Sequence, residues 1–295
     1  MIISIKPFGD DFATEITGLN IHEPIDDATR DEVISALDRY ATVVIRGDPV
    51  SEQAQINFAL RFGALDTING VLTTDIKRRV RPELTDVSNM DAGKNLLDLE
   101  DRRRLFNLGN RLWHTDSSFK RVAAMYSMLH AHTIVPDGGE TQICDLRAAY
   151  DALDEKMKLQ ITEMVAVHSI YTSRAILGFD DFSEEERLAL PPICRPLVRE
   201  HPGSRRKTLF LASHAGQVLG LTMAEGRLLI RELMEHATQR EFVYTHNWRV
   251  GDLLIWDNRC TMHRVRPFNE ALYKRDMRRA TVMETKPGEV YEALY

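Results

Sequence analysis

His114-Thr115-Asp116 sets an imidazole and a carboxylate two residues apart. In extended backbone, residues i and i+2 face the same way, so both side chains can aim at one point. One more ligand from a neighbouring strand completes a set of two histidines and one carboxylate. Such a set holds a divalent metal and leaves coordination positions open, the arrangement of non-haem Fe(II) oxygenases. His263 is the candidate third ligand. It follows Gly251-Asp252-Leu253-Leu254-Ile255-Trp256-Asp257-Asn258-Arg259, which reads as a strand running into a turn at a barrel rim. Ten histidines and 44 acidic residues produce roughly one or two His-x-acid triplets by chance. The triplet alone therefore also fits a structural histidine, and His263 alone a buried, hydrogen-bonded one. Trp113 before the triplet and Ser117-Ser118-Phe119 after it read as a polar, aromatic-flanked strand.

Arg275 and Arg279 are four apart, with Met277 between them. On a strand these three share a face and Arg278 points away. Inward-facing arginines need anionic partners, because a buried unpaired charge is costly. Guanidinium groups meet carboxylates in a two-pronged geometry that lysine cannot copy. Two of them imply two anionic groups, one on a cosubstrate and one on a substrate. An exposed strand with surface salt bridges fits the same spacing.

The elements that must position these residues are partly legible. Asp26-Asp27 caps a helix through Val33, Ile34, Leu37 and Ala41, and Thr42 to Arg46 reads as a buried strand. Ser51 opens a helix closed by Gly63. Residues 64 to about 110 read as polar and irregular, with basic clusters at Lys77-Arg78-Arg79 and Arg102-Arg103-Arg104. A loop that long is either a mobile active-site lid or a solvated excursion. Pro136-Asp137-Gly138-Gly139 is a turn before a strand, Thr141 to Cys144. A helix is expected from Leu146 to about Val165. Ser183 with Glu186 and Thr222 with Glu225 have capping-box spacing, the first before Pro191-Pro192, the second opening a helix to His236. Strands are expected at Phe242–Tyr244, Asp252–Trp256 and Arg275–Met283. Without βαβ alternation, a β-sandwich or jelly-roll core decorated by helices fits best, as a single domain over 1–295.

The 295 residues are 43% hydrophobic and carry a net charge of −6, a globular balance and a poor one for nucleic acid. The basic clusters lack stacking aromatics, so no nucleic-acid partner is expected. No apolar run spans a bilayer and the start lacks signal-peptide character. Three scattered cysteines fit a reducing compartment, so a cytoplasmic protein is expected. His22, His130, His132, His168, His214, His236 and His246 lack comparable context and read as structural.

The segments Trp113-His114-Thr115-Asp116-Ser117-Ser118-Phe119, Gly138-Gly139-Glu140-Thr141, Trp256-Asp257-Asn258-Arg259-Cys260-Thr261-Met262-His263 and Arg278-Arg279-Ala280-Thr281 resemble the TauD/TfdA family of Fe(II)- and 2-oxoglutarate-dependent dioxygenases. Stretches 145–153 and 235–244 are similar too, and the resemblance runs over nearly the whole chain. It implies a double-stranded β-helix (jelly roll) and a homo-oligomer. His114, Asp116 and His263 match the iron ligands. Thr141 and Arg275 match the residues that hold the distal carboxylate of 2-oxoglutarate. Arg279 matches the arginine that meets the substrate's anionic group beside the cosubstrate. Asn110 and Ser117 match positions lining the substrate pocket, and Ser118, Lys94 and His201 match positions for aryloxyacetate binding.

The implied reaction uses Fe(II), 2-oxoglutarate and O2 to hydroxylate a small-molecule carboxylate, with succinate and CO2 as coproducts. An aryloxyalkanoate hydroxylated beside its ether oxygen gives a hemiacetal that collapses to a phenol. Taurine-type members carry a histidine in an early loop; here 67–73 has none, and where phenoxyacetate-degrading members have lysine the aligned residue is Val71. This disfavours taurine and leaves related carboxylates, another sulfonate or a secondary metabolite open. Asp116 argues against halogenation, which needs a small residue there. A zinc hydrolase on the same ligands lacks an evident general base. A non-catalytic carboxylate-binding jelly roll is the remaining alternative.

Overall fold

Successive residues of the strand Leu253–Asp257 face different cores, and that alternation defines the layers. Leu253 and Ile255 pack with Val43, Ile45, Met128 and Val282 beneath the helices Asp27–Tyr40 and Glu52–Leu60. Leu254 and Trp256 turn the other way, into a core with Val44, Leu129, Ile143 and Met277. The computed structural model describes residues 3–9, 11–67 and 78–284. Its large sheet joins Ser4–Pro7, Thr14–Thr17, Thr42–Ile45, Leu253–Asp257, Ala124–Thr133, Asp276–Met283 and Leu84–Ser88 in that order. Among these neighbours only Thr14–Thr17 and Thr42–Ile45 run parallel. A small sheet, Val243–His246, Thr141–Asp145 and Thr261–Val265, faces it across the second core. On its outer side, Cys144 and Met262 pack against the helix Met223–Ala237 through Leu229 and Leu233. Two facing sheets with helices outside are the expected jelly-roll arrangement, and the sheets do not close into a barrel.

Local chemistry sets the helix ends. Asp26 Oδ1 accepts from Thr29 N at 2.8 Å and Ser51 Oγ from Ala54 N at 3.2 Å. Both capping boxes form, at Ser183/Glu186 and Thr222/Glu225. The helix expected over Leu146–Val165 is instead two, Leu146–Asp151 and Glu155–Ile161, followed by a strand Val165–His168. Asp154 breaks it: its Oδ1 accepts from Met157 N at 2.7 Å, so the carboxylate starts a new helix rather than riding inside an old one.

The segment 64–110 is less irregular than its composition suggests. It contributes the edge strand Leu84–Ser88, paired with Asp276–Met283, and the short helix Arg102–Asn107. Its polar composition reflects a wall that faces a cleft rather than a core. Residues 68–77, which include Val71, lie outside the described residues.

Among the described residues no helix is long and apolar enough to cross a membrane. Cys144, Cys194 and Cys260 are buried free thiols. Burial pushes His130 and His168 down to about 3, and His132 down to about 4. The unfolded chain takes up protons on these histidines below about pH 6.5, whereas the fold keeps them neutral. Their stability contribution is therefore full above that value and is lost as pH falls toward about 4. The urea midpoint should drop over that window, and the drop should shrink in His168→Gln; a flat profile counts against the buried, neutral assignment.

Candidate metal centre and substrate cleft

His114 is joined to His263 by a pair of backbone hydrogen bonds. His114 N donates to His263 O at 3.0 Å, and His263 N donates to His114 O at 2.8 Å. The Trp113–Phe119 strand expected from sequence is therefore a single bridge residue followed by a turn from Asp116. Side-chain anchors replace a ladder. Thr115 Oγ1 lies 2.9 Å from the carbonyls of both Leu211 and Thr261. Asp116 N donates to Asn258 Oδ1 at 3.2 Å. Ser117 then takes a left-handed φ of 53° to turn the chain away.

The three side chains converge. His114 Nε2 is 3.7 Å from Asp116 Oδ1, and His263 Nε2 is 3.5 Å from Asp116 Oδ2. All three donor atoms lie within 4.8 Å of one another, and all three residues are buried. Both imidazole–carboxylate separations are under twice a metal bond of about 2.1 Å, so one ion can reach both partners of each pair. His114 Nδ1 sits 2.8 Å from Leu112 O. That bond places the proton on Nδ1 and leaves the Nε2 lone pair free for a metal. Burial keeps both imidazoles neutral, His263 well below its ordinary value. Burial alone would raise the Asp116 carboxyl, but the Arg279 guanidinium and the Ser127 hydroxyl hold it well below the usual carboxylate range. Two neutral imidazoles and an ionised carboxylate suit a divalent transition metal.

A relay fixes the carboxylate. Ser127 Oγ donates to Asp116 Oδ2 at 2.7 Å, Asn258 Nδ2 donates to Ser127 Oγ at 3.0 Å, and Trp256 Nε1 donates to Asn258 Oδ1 at 3.1 Å. Ser127 and Asn258 sit on distant stretches of sequence, so no spacing flags them. His263 is held by packing, its ring 4.1 Å from that of His114 and 4.4 Å from that of Trp256.

Arg275, Met277 and Arg279 share the inner face as expected, and Arg278 points out toward Glu52 at 3.5 Å. Arg275 is buried, and its Nη2 donates to Gly139 O at 3.2 Å. Gly139 has φ 72°, and a Cβ there would meet Val135 at 2.9 Å, so only glycine brings that carbonyl in. Burial pushes the Arg275 guanidinium down to about 10; Glu270 opposes this through space, but its carboxylate is paired with Arg104 and Arg111. Thr141 lines the same lobe, its Oγ1 accepting from Trp248 Nε1 at 3.2 Å. Arg279 Nη1 donates to Asp116 Oδ1 at 2.6 Å, so its first anionic partner is the carboxylate of the candidate metal site.

The cleft has two lobes that share His114, Asn110 and Arg279. One holds His263, Thr141 and Arg275. The other, of about 260 Å³, holds Asp116 and Ser117 with apolar walls from Val80, Leu97, Phe106 and Phe119. His214, read as structural, edges the second lobe with its ring 6.0 Å from that of His114.

Three sequence candidates lie elsewhere. Ser118 is fully buried with Oγ 3.0 Å from His168 Nδ1. Lys94 is exposed in a turn, with φ 63°. His201 is fully buried: Nδ1 accepts from Ser204 N, so Nε2 carries the proton that meets Asp257 Oδ2 at 2.9 Å. None of the three lines the cleft. For Ser118, nearness to the His114–Asp116 motif in sequence does not survive the turn at Ser117. The grouping of His201, Asp257 and Cys260 resembles a metal site, but Arg259 already occupies the Asp257 carboxylate.

Residues 4–281 match the family described as Taurine catabolism dioxygenase TauD, TfdA family. The chain is 42% identical over 286 residues to the alpha-ketoglutarate-dependent 2,4-dichlorophenoxyacetate dioxygenase of Cupriavidus pinatubonensis, spanning 96% of this chain and 99% of that one. It is 32% identical over 274 residues to the (S)-phenoxypropionate/alpha-ketoglutarate-dioxygenase of Sphingobium herbicidovorans, 90% of each. The crystal structure of AAD-2 in complex with Mn(II) and N-oxalylglycine superposes with a TM-score of 0.89 at 44% identity, covering 97% of this chain and 98% of that one. By motif, fold and extent of match, this chain belongs to the TauD, TfdA family of dioxygenases.

Proposed function

We propose that this dioxygenase uses Fe(II), 2-oxoglutarate and O2 to hydroxylate a carboxylate-bearing small molecule, an aryloxyalkanoate being the best-supported class. The observation that carries the reading is the convergence of His114, Asp116 and His263 beside a buried Arg275 whose acidic neighbour, Glu270, is paired with Arg104 and Arg111 instead. Relatives named for 2,4-dichlorophenoxyacetate and (S)-phenoxypropionate support the substrate class. Relatives named as alpha-ketoglutarate-dependent dioxygenases favour this reading over a zinc hydrolase or a non-catalytic carboxylate binder on the same ligands.

Bound to the three ligands, Fe(II) with 2-oxoglutarate and O2 supplies oxidative decarboxylation of the keto acid to succinate and CO2, coupled to hydroxylation of a C–H bond. Arg275 and Thr141 would bind the far carboxylate of the keto acid. Arg279, released from Asp116 once that carboxylate serves the metal, would orient the substrate's carboxylate. Asn110 and Ser117 would border the substrate, and the walls of the second lobe would take its ring. The described part of 64–110, acting as a lid, would exclude water. Hydroxylation of the carbon between ether oxygen and carboxylate gives a hemiacetal. Its C–O bond breaks to release a phenol and an oxo acid. We include in the proposal a cytoplasmic homo-oligomer; the free buried cysteines support the compartment.

Purified protein with Fe(II), ascorbate and 2-oxoglutarate should form succinate when given phenoxyacetate or 2-phenoxypropionate, with matching phenol release. Succinate stimulated only by sulfonates would move the substrate class, and none over a broad carboxylate panel would overturn the reading.

A further inference from the structure

Burial pushes three described arginines down to about 10: Arg174, Arg195 and Arg275. Arg275 faces the keto-acid lobe. Arg195 spends its donors on main-chain carbonyls, at Ser118, Lys120 and Arg121. Arg174 does neither. It is 4% exposed, lines the second lobe of the cleft, and has no carboxylate partner among the described residues. Its Nη1 donates to Ser173 Oγ at 3.1 Å, while its Nε is buried with no acceptor.

The surroundings hold this guanidinium in place. Its carbon sits 4.1 Å from the Phe106 ring centroid, a cation–π contact. Gly109 packs against it so closely that a Cβ there would fall 2.1 Å from Nη1. Ser173 Oγ is itself fixed: it donates to Ile170 O at 2.8 Å and lies 2.9 Å from His214 Nδ1. A charge positioned by an aromatic face, a required glycine and an anchored hydroxyl is a built feature, and a buried unpaired charge is costly to retain without a ligand.

The other cations of this lobe are accounted for. Arg79 pairs with Asp86 and Asp276, Arg102 with Glu186, Arg103 with Asp101, and Lys120 with Asp66; Arg78 is exposed. With a divalent metal and a dianionic keto acid in place, Asp116, Arg275 and Arg279 leave one positive charge at the centre. A monoanionic substrate neutralises it, and Arg174 remains.

We propose that Arg174 is a second anion anchor of the substrate lobe, so that the preferred substrate is a dianion: a carboxylate that meets Arg279 and a second carboxylate or sulfonate, carried on the ring, that meets Arg174. This rests on the aryloxyalkanoate reading and refines it. Arg174 is a binding and specificity residue.

The test compares kcat/KM for phenoxyacetate with that for the ortho, meta and para carboxyphenoxyacetates, using the Fe(II) enzyme with 2-oxoglutarate. In the unaltered protein the best ring-carboxylated isomer should exceed phenoxyacetate by about 30-fold, the scale of a charge-assisted pair. Arg174→Gln should bring that ratio close to one, chiefly through KM, and Arg174→Lys should restore part of it. Gly109→Ala, which leaves every atom of Arg174 but displaces its guanidinium, should also lower the ratio. Because the ratio is internal to each preparation, loss of folded protein cancels. Arg279→Gln should depress both substrates together. A ratio that survives Arg174→Gln, or phenoxyacetate outrunning all three isomers, overturns the proposal while leaving the substrate class standing. Absence of succinate with any aryloxyacetate removes both.

Discussion

Asp116→Ala should abolish substrate-stimulated succinate formation and weaken metal binding by more than about 100-fold, beyond the range seen when only a supporting group around a ligand is lost. The carboxylate is the sole anionic member of the three-ligand set, and it is the group that Ser127, Asn258 and Arg279 are arranged to hold. Its removal leaves two neutral imidazoles beside an uncompensated Arg279, which repels a cation. Titration of the apo protein with Mn(II), followed by electron paramagnetic resonance or calorimetry, reads affinity without turnover. Ser127→Ala provides the graded comparison: it keeps the carboxylate but frees its orientation, and a loss of about 10-fold is expected. Full activity and unchanged Mn(II) affinity in Asp116→Ala would remove Asp116 from the metal centre.

The second large effect belongs to Arg275→Ala. A guanidinium–carboxylate pair in a buried site contributes about 1.5–3 kcal/mol, so the apparent KM for 2-oxoglutarate should rise by about one to two orders of magnitude. The metal ligands are untouched, so Mn(II) affinity should hold. In the unaltered protein, saturating 2-oxoglutarate with Mn(II) should raise the thermal midpoint by ligand linkage; in the variant most of that increment should vanish. The main-chain bond from Arg275 N to Asn89 Oδ1 survives the substitution, so the strand end stays anchored. An unchanged KM would take Arg275 out of the cosubstrate site.

The relation between Arg275 and Arg279 shows why a correct spacing can still leave a role undecided. Period-two geometry puts both on one face; Arg275 falls just before the strand Asp276–Met283, which bulges between Asp276 and Met277, yet both arginines line the same lobe. It cannot say which arginine meets a carboxylate of the protein itself. Arg279 reaches Asp116, a residue 163 positions away, whereas Arg275 is left with a glycine carbonyl. That difference separates a residue tied to the candidate metal site from one whose guanidinium meets no carboxylate by hydrogen bond.

What the amino-acid order determined by itself was local. Capping side chains act over three residues, so the starts at Asp26, Ser51, Ser183 and Thr222 were legible, as were a strand at Asp252–Trp256, found at Leu253–Asp257, and the candidate metal-ligand types at His114, Asp116 and His263. The break at Asp154 was legible in principle but outweighed by apolar periodicity running through it. Tertiary structure alone decided which side chains meet across long separations: the Asn258–Ser127–Asp116 relay, the wall that 84–111 builds, and the burial of Arg174 beside Phe106 and Gly109 without a counter-ion. It also decided that His201 and Ser118 turn into packed interior rather than the cleft. The physical reason is range. Backbone propensity and capping are paid within one turn of chain, whereas the charge state and exposure of a side chain depend on every element packed around it.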